Sequence, residues 1–208
     1  MINKYIQRMN SRDVIILGGG LAGLVAGIHL VNSGANVCLI EKDSYPGHKV
    51  CGEYLSNEIK PYLEFLGLDL GSVHLPELSR MQFSTQKGNM LECKLDLGGM
   101  GISRYTLDHL LYQKFLDAGG EIIKTTAENC KFYGDIFLVH CKDGQTLEAN
   151  FVLGAYGKRS SLDKRLRRSF INKKSAWMAV KAHYENHDFP DDLVALHNFQ
   201  GGYCGLSK

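Results

Sequence analysis

Four aliphatic side chains, Val14-Ile15-Ile16-Leu17, run straight into three consecutive glycines, Gly18–Gly20, with Gly23 and Gly27 beyond. This junction constrains the fold more than any other stretch. A short β-branched run ending in glycine reads as a buried strand over 13–18. After it, Leu21, Leu24, Val25, Ile28 and Val31 recur at helical spacing, so a helix is expected over 21–33, stopped by Asn32-Ser33-Gly34. Asn36-Val37-Cys38-Leu39-Ile40-Glu41 then reads as a second buried strand. Strand, helix and strand at this spacing make a crossover unit, which requires a parallel pair.

The glycines follow the pattern Gly18-x-Gly20-x-x-Gly23. The first permits a tight turn, the second lets backbone approach a pyrophosphate, and the third lets helix and strand pack closely. The helix start offers unpaired N–H groups and the positive end of its dipole, which suit an anion. Glu41 closes the second strand, where a carboxylate accepts both hydroxyls of a ribose and disfavours a 2′-phosphate. The pattern alone is weak, but in this setting it predicts a site for an ADP-containing cofactor, FAD or NAD.

Composition excludes other classes. Among 208 residues, 24 Lys and Arg stand against 22 Asp and Glu, so no bulk charge points to nucleic acid. The polar start, Met1–Asp13, lacks the apolar core of a secretory signal. No apolar run approaches the roughly 18 residues of a membrane span. A cytoplasmic protein is the expectation. Its six scattered cysteines, without a C-x-x-C, read as free thiols, and no metal site is expected.

Further along, 44–55 reads as irregular. Residues 56–66 read as a helix capped by Ser56 and closed by Gly67, and 80–95 as two strands around Lys87-Gly88-Asn89. An amphipathic helix after Arg104 ends at Gly119-Gly120, and 121–125 reads as a strand. Residues 130–157 alternate and turn like a β-meander, with 151–155 able to rejoin the parallel sheet. The pieces 176–184 and 193–199 look strand-like.

Four segments give the chain a resemblance to the flavoprotein family of aromatic hydroxylases, geranylgeranyl reductases and flavin-dependent halogenases. They are GGGLAGLVAGIHLVNSGANVCLIEKD, KVCGEYLS at 49–56, GISRYTLDHLLYQKFLDAGGEII, and FVLGAYGKRSSL at 151–162. The resemblance implies FAD as cofactor and NAD(P)H as electron donor. It implies that Gly18, Gly20, Leu21, Ala22 and Gly23 hold the pyrophosphate, that Glu41 takes the adenosine ribose, and that Lys42 flanks the adenine. Cys51 and Gly52 would pass near the flavin ring, and Arg104 would neutralise phosphate charge, being suited to bidentate pairing. In the last segment the family's Asp is replaced by Tyr156. Family members continue well past residue 208, so the chain is expected to be truncated at the C-terminus.

Other residues carry less. Cys51 reads as a proton donor or, more simply, as a small apolar filler. Glu53 reads as an acid near the flavin or, more simply, as a loop carboxylate capping the helix near 56. His183 and His187, four apart, need a helix to share a metal, but their neighbours suggest a strand. His140 and Cys141 should face opposite ways on a strand. The run Lys158, Arg159, Lys164, Arg165, Arg167, Arg168 could meet NADPH phosphates or a membrane surface, but reads more simply as a solvated helix face.

The expected fold is α/β. A polar extension (1–12) precedes a Rossmann-type FAD-binding domain (13–170) with a parallel sheet and β-meander, and a mixed β-rich substrate domain starts at 171. The expected function is a FAD-dependent oxidoreductase, most like a monooxygenase, acting on an apolar or aromatic small molecule. An isoprenoid reductase is the alternative. A non-catalytic nucleotide-binding fragment and a flavin-free NAD-dependent dehydrogenase are readings of other classes. No catalytic residue and no oligomeric state is assigned.

Overall fold

The computed structural model describes residues 12–158, 160–173, 175–185 and 188–208. The chain divides into two units. One is Met1–Gly47 with Asp108–Trp177, and the other is His48–Leu107 with Met178–Lys208.

The first unit is built on a six-stranded sheet of order β6-β2-β1-β9-β8-β7. The strand β1 (Arg12–Leu17), the helix α1 (Leu21–Asn32) and the strand β2 (Val37–Glu41) form the expected crossover. β1 and β2 are parallel, with Val14 opposite Val37 and Leu17 opposite Ile40. β6 (Glu121–Lys124) joins β2 in parallel. The meander strands β7 (Ala127–Tyr133), β8 (Ile136–Cys141) and β9 (Thr146–Gly154) are antiparallel to one another. β9 then runs parallel to β1, as its position in the sequence suggested.

Both faces of β1 and β2 are covered, which is why they read as unbroken apolar runs rather than alternating ones. Ile15, Leu17, Cys38 and Ile40 join Val139, Ala149 and Leu162 in one cluster. On α1, a Cβ at Gly27 would lie 2.7 Å from the ring of fully buried Phe115 and 3.4 Å from Ile16. Phe115 belongs to α3 (Arg104–Asp117), the helix that follows Arg104. Its burial contributes about 2–3 kcal/mol, and that contact needs a glycine opposite.

The second unit carries a five-stranded sheet of order β11-β10-β4-β5-β3. β4 (Glu77–Ser84) and β5 (Met90–Gly101) pair antiparallel around the expected turn, closed by Thr85 N–H to Asn89 O at 2.9 Å. β10 (Leu193–Phe199) is parallel to β4, and β11 (Gly202–Leu206) is antiparallel to β10. Arg80 clasps Asp192 through Nε and Nη2, at 2.7 and 2.8 Å, which fixes where β10 starts.

Three expectations fail here. Residues 44–55 are not wholly irregular: Tyr54–Ser56 form β3, antiparallel to the end of β5. Ser56 therefore ends a strand and offers no side-chain cap; a 3₁₀ turn over Asn57–Ile59 precedes α2 (Lys60–Phe65). Residues 176–184 form no strand. Alternation predicts a strand only where one face is buried and a neighbour supplies the ladder. Here Trp177, Met178, Val180 and Tyr184 are all more than three-quarters exposed. The final short helix, α4 (Leu162–Arg165), sits in the basic run.

Candidate functional site

The glycine turn is set by close backbone contacts. Gly18 has φ +105°, and a Cβ there would lie 2.5 Å from the Ala155 carbonyl oxygen and 2.6 Å from Tyr156 Cα. A Cβ at Gly23 would lie 1.9 Å from the Gly18 carbonyl oxygen. Neither neighbour can retreat, because each is backbone. Gly20 is extended and precedes α1; no side chain caps the helix and its first turn holds no acid. Leu24 N–H makes the first helical bond, to Gly20 O at 3.0 Å. The amides of Leu21, Ala22 and Gly23 thus form an uncapped positive end.

Glu41 sits at the end of β2 and folds back on this turn. Its Oε2 accepts from Gly19 N–H and its Oε1 from Asp43 N–H, both at 2.8 Å. A carboxylate has about four acceptor sites, so two remain for hydroxyl groups. Lys42, next in the chain, is exposed and lines a cavity of about 340 Å³ with Thr125, Thr126, Lys142 and Asp143.

Tyr45 went unrecognised in the sequence. Its hydroxyl donates to the Gly19 carbonyl, and its ring stacks on Tyr112 with centroids 4.5 Å apart. A Cβ at Gly19 would meet that hydroxyl at 1.8 Å. Burial, with Glu41 nearby, pushes the Tyr45 phenol far above its ordinary range, so it stays a neutral donor. The only sequence signal was a third glycine in a row, which the dinucleotide pattern does not require.

The segment at 155–156 closes over the same turn. Ala155 N–H donates to Leu17 O at 2.8 Å. The hydroxyl of Tyr156, at the position of the family's Asp, donates to Asp163 Oδ1 at 3.0 Å. Asp163 is buried and pairs with Arg168 at 3.5 Å. Part of the basic run is therefore paired rather than simply solvated: Arg165 also reaches Glu128 at 3.9 Å. Arg159 lies outside the described residues.

Cys51, Gly52, Glu53 and Arg104 belong to the second unit. Cys51 Sγ accepts from Glu53 N–H at 3.5 Å. At Gly52 the backbone is not left-handed, and a Cβ would meet nothing within 4 Å. Glu53 is left-handed at φ +57°, a strained conformation for a residue with a side chain. Its Oε1 accepts from Lys181 Nζ at 2.6 Å and from the Arg104 amide at 2.8 Å; its Oε2 meets His183 Nε2 at 2.8 Å. It therefore caps α3 at Arg104, not the helix near 56. Burial raises the Glu53 carboxyl's pKa, but the donors from Lys181, His183 and Arg104 outweigh it, and the net direction is down.

His187 lies outside the described residues. His140 and Cys141 do face apart: His140 Nδ1 lies 3.0 Å from Thr146 Oγ1, whereas Cys141 is buried. Among the described residues no His, Cys, Asp and Glu gather as a metal-binding group, and the six cysteines are free thiols. No described helix is long and apolar enough to cross a membrane.

A parallel sheet, a glycine turn opening an uncapped helix and an acid ending the second strand define a Rossmann-type dinucleotide-binding protein. The chain belongs to the FAD binding domain family, whose pattern matches residues 11–201. It is 29% identical over 128 residues to the digeranylgeranylglycerophospholipid reductase of Methanoculleus marisnigri, a match covering 56% of this chain and 30% of that protein. A flavoprotein/dehydrogenase from Cytophaga hutchinsonii has the same fold at a TM-score of 0.69 and 18% identity, over 89% of this chain and 49% of that one. The halogenase PltM, solved with phloroglucinol and FAD, superposes at a TM-score of 0.64 and 20% identity, over 75% of this chain and 36% of that one. The chain spans less than half the length of these relatives.

Proposed function

We propose that this chain is the FAD-holding part of a flavin-dependent oxidoreductase of monooxygenase type. The observation that carries the reading is the uncapped start of α1 beside a Glu41 with acceptor sites to spare. Leu21, Ala22 and Gly23 amides would receive the pyrophosphate, with Gly18 and Gly20 shaping the turn. Glu41 would hold the adenosine ribose, and Lys42 would flank the adenine at its cavity. Gly52, whose glycine no protein atom demands, would let the backbone pass close to the flavin ring with Cys51 beside it. Arg104 would balance phosphate charge. Residues 13–170 would form the FAD-binding domain and 171–208 the start of a substrate domain. The grouping of 48–107 with 178–208 gives the substrate sheet a larger share of the chain.

Bound FAD supplies the redox chemistry, with NAD(P)H as donor and an apolar or aromatic small molecule as substrate. The protein's own part is to bind the pyrophosphate, orient the ring and exclude water. The Methanoculleus relative's name favours a second reading, reduction of an isoprenoid double bond.

The test is titration with FAD, NAD and NADP, followed by thermal shift and flavin fluorescence. FAD should stabilise the chain most, and Glu41→Gln should weaken that binding by about tenfold, the effect of losing one charge-assisted ribose contact. Stabilisation by NAD and none by FAD would overturn the reading.

A further inference from the structure

We propose that residues 158–177 dock the first unit onto an anionic lipid surface, with their cations on the headgroups and Leu166, Phe170 and Trp177 entering the interface. Charge is the first observation. This stretch holds eight Lys and Arg and one acid, so the rest of the chain is net acidic although the whole is nearly balanced. That one acid is taken up inside the protein: Asp163 is buried, accepts from the Tyr156 hydroxyl and pairs with Arg168. Arg165 reaches Glu128 only at 3.9 Å, with both side chains well exposed. Lys158, Lys164, Arg167 and Lys173 are exposed and take no acid partner among the described residues.

A merely solvated basic face is polar throughout, and this one is not. Leu162 is buried in the core cluster with Ile15 and Leu17, which pins the start of α4 to the first unit. Beyond Asp163 every residue from Lys164 to Phe170 is exposed. α4 stops at Arg165, Arg167 is left-handed at φ +54°, and a 3₁₀ turn follows over Ser169–Asn172. Three large apolar side chains stand out among the cations on this stretch: Leu166 is 42% exposed, Phe170 50% and Trp177 77%. Cations interleaved with exposed aliphatic and aromatic groups match a headgroup layer, where anionic phosphate meets the acyl boundary and an indole is favoured. Duplex nucleic acid would answer the cations but give Leu166 and Phe170 no apolar partner.

Each Lys or Arg beside an anionic bilayer strengthens binding about fivefold, and the effect fades beyond a Debye length of about 8 Å at physiological salt. Docking of this kind is peripheral, reversible and weakened by salt. It needs no flavin, so it goes beyond the FAD reading and does not rest on it.

Trp177 is the chain's only tryptophan, so its emission reads docking directly. The full chain is mixed with vesicles of phosphatidylcholine, alone or with phosphatidylglycerol, and followed by co-sedimentation and tryptophan fluorescence. Binding to the anionic vesicles only, with a blue shift of Trp177 emission and release by added salt, is expected. Lys164→Gln combined with Arg167→Asn, a residue that tolerates left-handed backbone, should weaken binding about 25-fold, fivefold per charge. Lys87→Gln, an exposed lysine in the β4–β5 turn of the other unit, should leave it unchanged. Far-ultraviolet circular dichroism checks the fold of each variant. Equal binding to neutral vesicles, no binding, full affinity in the double variant, or sedimentation without the blue shift overturns the proposal. Retention of duplex DNA without vesicle binding also overturns it and makes nucleic acid the partner. FAD retention is measured without vesicles: docking without flavin sinks the FAD reading alone, and flavin without docking sinks this one alone.

Discussion

The glycines of the α1 turn and Gly52, in the other unit, are there for different reasons. Around the α1 turn, Gly18, Gly19, Gly23 and Gly27 are each hemmed in by the protein itself, at 1.8 to 2.7 Å from an imagined Cβ. At Gly52 the same imagined atom meets nothing within 4 Å. The glycines of the α1 turn are thus a packing requirement that also leaves an uncapped helix start at their end. Gly52 stands beside space clear of protein atoms, unlike Gly99 and Gly101 of the same unit, where a Cβ would meet Tyr54 at 2.4 Å and Lys208 at 1.9 Å. Acid groups differ likewise: Glu41 grips backbone amides of its own turn, whereas Glu53 collects the Lys181 ammonium, the His183 imidazole and an amide far away in sequence.

That contrast breaks most sharply at Gly23. Gly23→Ala forces a Cβ onto a backbone carbonyl and should destabilise the chain by about 3 kcal/mol or more, read from the urea midpoint. A change under about 1 kcal/mol would mean the turn is looser than described. Glu53→Ala comes next, at about 2 kcal/mol, because it leaves the largely buried Lys181 ammonium and the Arg104 amide unpaired.

The same carboxylate gives the second unit an acid limb. The Glu53 pKa is lowered in the folded chain, so its contribution is fully present above the unfolded value of about 4.3. It is lost as pH falls through the lower folded value. Glu53→Gln should flatten the loss of stability in acid, and an unchanged acid limb would count against the ion cluster. Tyr45→Phe removes one hydrogen bond to Gly19 and should cost about 1 kcal/mol, with weaker FAD binding as the turn loosens. The smallest effect on stability belongs to Gly52→Ala, within about 0.5 kcal/mol, yet it should weaken FAD binding. Loss of stability with unaltered binding would reverse the meaning given to that glycine.

What the sequence made legible was local. The β1-α1-β2 crossover is a single run of 30 residues, Arg12–Glu41, whose apolar periods and glycine spacing reflect its own packing. Glu41 could be placed because it ends a strand beside its own turn. Tyr45 was hidden, since its partner Gly19 lies 26 residues away and a tyrosine before proline carries no signal. Glu53 was misassigned for the same reason: its donors are 51, 128 and 130 residues distant, and a nearby helix offered a simpler cap. The stretch 176–184 alternates convincingly, but alternation describes one strand and cannot reveal whether another lies beside it.

The most direct measurement of the central claim is the visible spectrum of the purified chain after incubation with FAD and gel filtration. Flavin absorbance that stays with the protein, and is lost in Arg104→Ala together with Glu41→Gln, is the expected result. A chain that elutes colourless under conditions where it is folded would contradict the assignment of the Gly18–Gly23 turn to FAD.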